Sequence, residues 1–409
     1  MSTKTLTKSI SLKELDKTVD AVLQEHFISP KTGFLSGIPL RHLPSGDKRS
    51  EYFKKIDDMG YSLEKNIKQK NIANVVKTLP VPNFEFNDLS REVIHRLMLV
   101  IAMNTHAYFK ETLQYKDVSE LMKDASTKSL PAQLAVPLWK LSKLTGIAPS
   151  MSYGLYSLWN YYKKDENQPI SLDNINMIHT FSDTLDERWF VWIHQVVEVT
   201  LAPAIKELTR AYYLVSFVDA STEEIIKELI QSLDKASTSL REVVNVLERM
   251  REHCNYKTYF DSVRLYYAFP KRVIFEGVDE LKCQPQEIFG ETGGQSPYMH
   301  FVIKMLGIDH SNDQYFPYMK KHLSGPYRDF ILSFEESKIR DYVLQNKKNR
   351  VLVRRYNMLV QSVLDWRAEH ISLVDDFIKQ FGEFHGTGKP PLEWLKDLYN
   401  RTKDFLIDI

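Results

Sequence analysis

The sequence predicts an all-α protein, and three observations carry that prediction. Long stretches repeat apolar residues at helical spacing, and no run of alternating apolar and polar residues stands out as a strand. Only 15 glycines and 17 prolines interrupt 409 residues, so few places break a helix. The length suits two domains, or one large domain with a smaller cap. Residues 126–150 carry Pro131, Pro137 and Pro149 around a short helix near Trp139–Leu144 and read as a hinge. The expected division is a small, mainly helical N-terminal domain at residues 1–130 and a large helical domain at residues 131–409.

Composition narrows the function classes. The net charge of +1 speaks against nucleic-acid binding or an anionic membrane surface. Cys254 and Cys283 belong to no CxxC or CxxCH pattern, which argues against a zinc ribbon or covalently attached haem. The N-terminus has no apolar core of a signal peptide, and no apolar run reaches membrane-spanning length, so the expected location is the cytoplasm. Aromatic residues are plentiful, 21 Tyr, 21 Phe and 6 Trp. They suit a large core or a pocket for a flat ligand.

Along the chain, Ser11 and Glu14 form a capping-box pattern before a short amphipathic helix. Arg91 to about Leu113 reads as a strong helix with His95 and His106 on it. Ser152 to Tyr162, SYGLYSLWNYY, reads as a dense aromatic helix. Trp189 to Tyr213 reads as one long helix, kinked by Pro203. On it His194 shares an apolar face with Phe190, Val197, Leu201 and Ile205, and Glu198 lies nearby. A buried histidine and carboxylate are costly without partners, so they form either a structural His–Glu pair or a functional one. Thr222 to Glu252 reads as scaffold. In YKTYFDSVRLYYAF, Tyr256 to Phe269, aromatics surround one cation, Arg264, which either stacks or meets an anionic ligand. GETGGQSP, Gly290 to Pro297, matches no nucleotide-binding spacing and suits close approach of backbone to a flat ligand.

The last long helix, Val351 to Phe384, holds His370. At 100° per residue, Val363, Trp366, Val374, Phe377 and Phe381 fall within about 40° of it. His370 therefore sits in the buried stripe, with Arg367 on its edge. An imidazole in an apolar interior beside a guanidinium suits a haem iron and a propionate. The other reading, which periodicity alone favours, is a core histidine bonded to a carbonyl. FHGTGKPP, Phe384 to Pro391, then reads as a glycine loop, either a lid or a linker, before a terminal helix.

With these segments in hand, the chain resembles the indoleamine 2,3-dioxygenase family over about residues 130–409. The resemblance rests on seven segments in order: AVPLWKLSKLTGIAPSMSYGLYSLWNYYKKD, FVWIHQVVEVTLAPAIK, YFDSVRLYYAF, GETGGQS, PYRDFILSFEESKIRDYVL, RAEHISLVDDFI and HGTGK. It implies a large all-helical haem-binding domain capped by a smaller one, with non-covalent haem b and His370 as the proximal iron ligand. Arg367 would lie near a propionate, and Gly293 and Gly294 would lie against the haem. The implied reaction inserts O2 across the C2–C3 bond of tryptophan or a related indole. Arg264 would pair with the substrate carboxylate, Tyr153, Phe190, Tyr259 and Phe260 would wall the indole, and Thr387 would close over it.

The chain also departs from that pattern. His194 stands where indoleamine dioxygenases usually carry serine and is similar to the distal histidine of tryptophan 2,3-dioxygenases. As a catalytic residue it could bind substrate, stabilise O2 or ligate iron. Tyr259 replaces a usual phenylalanine, Tyr156 a smaller residue, and Lys389 a common glycine. The pocket is thereby more polar, which leaves open a different indole transformation or a haem-binding sensor.

Overall fold

The computed structural model describes residues 9–35, 37–308, 315–378 and 391–408, and it is built almost entirely of helices joined by short strands. The capping box forms: the Glu14 carboxylate accepts from the Ser11 N–H at 2.9 Å and from its hydroxyl at 2.7 Å. The Leu12–Glu25 helix it starts packs on the Ala202–Phe217 helix, where Asp16 pairs with Arg210 and Asp20 with Lys206. Arg91–Leu113 is helical, with Ser90 as its N-cap, and most of its residues are buried. Its two histidines have ordinary structural partners. His95 stacks on Trp159, and His106 donates to the Tyr266 carbonyl and accepts from the Met151 N–H.

The chain around residue 130 is stitched into the rest. Lys128–Leu130 pairs in parallel with Arg272–Phe275, which pairs antiparallel with Gln286–Glu287. The helix that follows, Ala132–Thr145, is longer than the prolines suggested. It carries Pro137 inside and ends on Gly146 at φ +71°. One buried apolar cluster runs from Leu15 to Ile407.

Two expected helices are broken, each for a visible reason. The aromatic stretch forms only a π turn at Gly154–Leu158, then a short strand at Tyr162–Lys163. Side-chain amides take its backbone groups: Gln295 accepts from the Tyr153 N–H, and Gln195 donates to the Ser157 carbonyl. Such wide turns concentrate at functional sites. The expected long helix with a kink divides at Leu201 into Leu185–Thr200 and Ala202–Phe217. Pro203 then lies in a first turn, where a missing N–H costs no hydrogen bond. Tyr256–Ser262 stops at Val263, and a 3-10 turn at Arg264–Tyr266 re-aims the chain.

Thr222–Glu248 packs along both Ala202–Phe217 and Arg350–Ile378 and acts as the expected scaffold. No helix among the described residues is long and apolar enough to cross a membrane.

The segment 290–296 is held close to Tyr267. A Cβ on Gly290 would stand 1.9 Å from the Tyr267 carbonyl oxygen, so no side chain fits without moving backbone. Gly290→Ala is expected to cost about 2–3 kcal/mol and lower the thermal midpoint by several degrees. An unchanged midpoint in a thermal melt would contradict this packing.

Candidate functional site

The site lies between the two helices that the sequence singles out. On the Arg350–Ile378 helix, the apolar stripe is buried through Leu352, Tyr356, Leu359, Val363, Val374 and Phe377. Its outer face is clamped by Arg251, which reaches Glu369, Ser372 and Asp376 at 2.5–2.9 Å. That clamp fixes the rotation of the helix and turns His370 inward. Among the described residues, neither ring nitrogen of His370 has a hydrogen-bond partner, unlike His106. The carbonyl-bonded core histidine that periodicity favours is therefore not what forms. Burial, and then the neighbouring His194 and Arg367, lower the His370 pKa to about 4. The ring is neutral at pH 7 and keeps a lone pair.

Facing it is the Leu185–Thr200 helix. His194 Nδ1 lies 2.7 Å from the Phe190 carbonyl. A carbonyl only accepts, so Nδ1 carries the proton and Nε2 keeps its lone pair. Burial lowers the His194 pKa too. The anticipated His194–Glu198 pair does not form. Glu198 instead accepts from the Tyr153 hydroxyl at 3.0 Å and the Ser296 hydroxyl at 2.8 Å, and its second oxygen has no partner.

Tyr153, His194, Glu198, Gly293, Gly294, Arg367 and His370 line one pocket with Val197, Leu201, Met299 and Trp366, an apolar lining with a few convergent polar groups, as in sites for a cofactor or small ligand. The terminal helix Pro391–Lys403 supplies Trp394, Leu395 and Leu398 to its wall. Sequence reading gave these three no role; only their apolar spacing hinted at burial. Among the described residues nothing stands within 4 Å of where a Cβ on Gly293 would be, so the backbone there borders open space. The loop is pinned from behind by Gln295, which also donates to the Gly290 carbonyl, and by His300, which bonds the Gly294 carbonyl. Arg367 is buried, and burial lowers its pKa to about 9.

Next to His194 lies an aromatic wall. Phe190 is 4.4 Å from the His194 ring and stacks on Tyr259 at 4.4 Å. Tyr267 lies 6.1 Å from Tyr259 and 5.3 Å from Tyr156, and the Arg264 guanidinium carbon is 6.0 Å from its ring. Glu187 anchors this wall from behind, accepting from the Tyr156 hydroxyl, the Phe181 and Ser182 N–H groups and the Ser182 hydroxyl. Among the described residues the Tyr267 hydroxyl is buried without a hydrogen-bond partner. Phe260 is half-buried one residue beyond Tyr259. Thr387 and Lys389 lie outside the described residues. Sequence reading gave Tyr267 no role, although it falls inside a segment it had singled out.

Burial raises the Glu198 pKa from 4.5 to about 7. The fold thus holds this proton more tightly than the unfolded chain does. The associated stability is fully present below the unfolded value and is lost as pH rises through 7. Glu198→Gln, which stays neutral, is expected to retain at pH 8 up to about 3 kcal/mol that the wild type loses. Denaturant unfolding of both proteins at pH 5 and pH 8 measures this, and equal pH dependence would contradict it.

The sequence profile of indoleamine 2,3-dioxygenase matches residues 22–382. Indoleamine 2,3-dioxygenase 1 of Rattus norvegicus is 27% identical over 371 residues, covering 87% of this chain and 84% of that protein. Indoleamine 2,3-dioxygenase of Saccharomyces cerevisiae is 25% identical, covering 90% and 83%. The 6-hydroxytryptophan 2,3-dioxygenase of Fusarium equiseti is 25% identical, covering 87% and 85%. With a family match that runs from the N-terminal helix through the His370 helix, the chain belongs to the indoleamine 2,3-dioxygenase family.

Proposed function

We propose that this protein is a haem-dependent dioxygenase that inserts both atoms of O2 across the C2–C3 bond of tryptophan or a related indole. Family membership supports the reaction class. The observation that carries the reading to this chain is His370, a neutral, partnerless imidazole facing His194 across a cavity that Arg367 also lines.

The donor set fits non-covalent haem b. Among the described residues, no three His, Cys, Asp or Glu side chains gather as a metal site. His370 and His194 reach the cavity from two different helices, and a single neutral imidazole is the kind of ligand a haem iron takes. His370 would hold the iron, Arg367 would pair with a propionate, and the open backbone at Gly293, with Gly294 beside it in the cavity wall, would admit the flat ring. Ferrous haem bound there supplies the binding and activation of O2.

The chain's own groups do the rest. His194, protonated at Nδ1, presents Nε2 as an acceptor and would take the indole N–H, which orients the ring. Phe190 and Tyr259 would wall the indole with Tyr153 and Phe260. Arg264 would pair with a substrate carboxylate, a charge-assisted bond that sets one orientation. The buried wall excludes water from the reacting bond.

A polar wall also favours an indole that carries a ring hydroxyl. Among the described residues the Tyr267 hydroxyl has no partner, and the Tyr156 and Tyr259 rings lie close to the Tyr267 ring. The Fusarium relative is named for such a substrate. The test is to give the haem-loaded ferrous protein O2 with tryptophan and 6-hydroxytryptophan, and to analyse products by mass spectrometry. A product with two added oxygen atoms is expected from at least one of them. A haem spectrum shifted by indoles with no such product would overturn the reaction while leaving the pocket.

A further inference from the structure

The wall of the same cavity carries two polar side chains to which the scheme above gives no task. Glu198 is 1% exposed and Tyr298 is 3% exposed, and both line the pocket with His194, Arg367 and His370. The Tyr153 and Ser296 hydroxyls donate to one and the same Glu198 oxygen, Oε1, at 3.0 and 2.8 Å. The other oxygen, Oε2, has no hydrogen-bond partner among the described residues, and neither has the Tyr298 hydroxyl. Ser296 connects the two side chains. Its hydroxyl reaches Glu198, and Tyr298 follows two residues later in the first turn of the Pro297–Leu306 helix.

That helix begins without a side-chain cap. Ser296 is its N-cap residue, but the hydroxyl that would cap it is turned to Glu198. Ser296, Tyr298 and Met299 all line the cavity, so the positive end of the helix lies in its wall. Burial raises the Glu198 pKa to about 7. Because Oε1 already accepts twice, the proton of the neutral acid sits on Oε2. Two O–H donors without acceptors therefore lie in one wall, beside a helix N-terminus. Buried donors in that state are costly until an acceptor arrives. Glu187 is the contrast, equally buried but filled by four donors. The donors and the helix end favour the same partner, an anion with oxygen acceptors, and a carboxylate is such an anion.

We propose that the Tyr298 hydroxyl and the Glu198 acid bind a carboxylate of the haem, the second propionate beside the one assigned to Arg367. This rests on the reading of the cavity as a haem site. Uncharged donors take a carboxylate without burying a further positive charge, and an O–H bonded to an anionic oxygen is of the strong, charge-assisted kind. Through Oε1 the same acid holds Tyr153, so the seat of the cofactor is tied to the wall assigned to the indole.

The test uses the full-length protein loaded with haem or with haem dimethyl ester, in which both carboxylates are blocked. Release to excess apomyoglobin is followed by absorption at pH 6, where Glu198 is mostly neutral. Tyr298→Phe, which removes only the hydroxyl, is expected to release haem about tenfold faster than wild type, and to release the ester at the wild-type rate. Glu198→Gln keeps an N–H donor and is expected to stay within about twofold of wild type, whereas Glu198→Leu is expected to lose haem about tenfold faster. Unchanged haem release in Tyr298→Phe would overturn the assignment. Equal acceleration of haem and ester would do the same, because the hydroxyl would then serve packing alone. If Glu198→Leu does not fold, Tyr298→Phe decides. A Tyr298→Phe variant that keeps haem but binds L-tryptophan about tenfold more weakly would give this position to the substrate carboxylate and overturn the cofactor assignment. If wild type retains no haem, the haem reading falls and this assignment with it. If wild type and every variant retain haem equally well, this assignment falls alone.

Discussion

The structure depends on keeping one imidazole unsatisfied. Helix packing normally closes any gap between apolar faces, and a buried histidine normally finds a carbonyl, as His106 does. His370 finds neither. Its helix is held from outside by the Arg251 clamp and along its length by Thr222–Glu248. The facing helix is set by its own N-cap at Thr184 and by Glu187, which ties its first turn to Tyr156. The loop 290–296 fills one side without closing over the cavity, because Gln295 and His300 hold it from behind. The stable parts of the fold thus hold open a space that the interior would otherwise close.

The electrostatics of that space follow from burial. Both histidines are kept neutral, so each offers a lone pair. The cation Arg367 and the carboxylates Glu198 and Glu291 are each displaced toward their neutral forms by burial. Groups held this way respond strongly to a charged partner, because a partner in low dielectric interacts more strongly than one in water. Burial raises the Glu187 pKa as well, but four donors hold its carboxylate within the protein.

Much of this was legible in the sequence because helices announce themselves by period and by caps. The Ser11–Glu14 box, the Arg91–Leu113 helix and the inward face of His370 follow from spacing alone. The places that escaped are those where side chains from distant segments compete for backbone. Gln295 and Gln195 unwind the aromatic stretch to a π turn, and no local signal in SYGLYSLWNYY reports that. Pro203 was visible, but whether a helix bends or divides depends on what packs at Leu201. Glu198 was read against His194 because both lie on one helix, whereas its partners Tyr153 and Ser296 come from elsewhere in the chain.

The central claim is that the partnerless ring of His370 exists to hold haem iron. The direct measurement is haem reconstitution of wild type and His370→Ala, followed by absorption spectroscopy with and without added imidazole. The account predicts a histidine-ligated haem spectrum in wild type, its loss in the variant, and its recovery when imidazole enters the space left by the side chain. An unchanged spectrum in His370→Ala would contradict it.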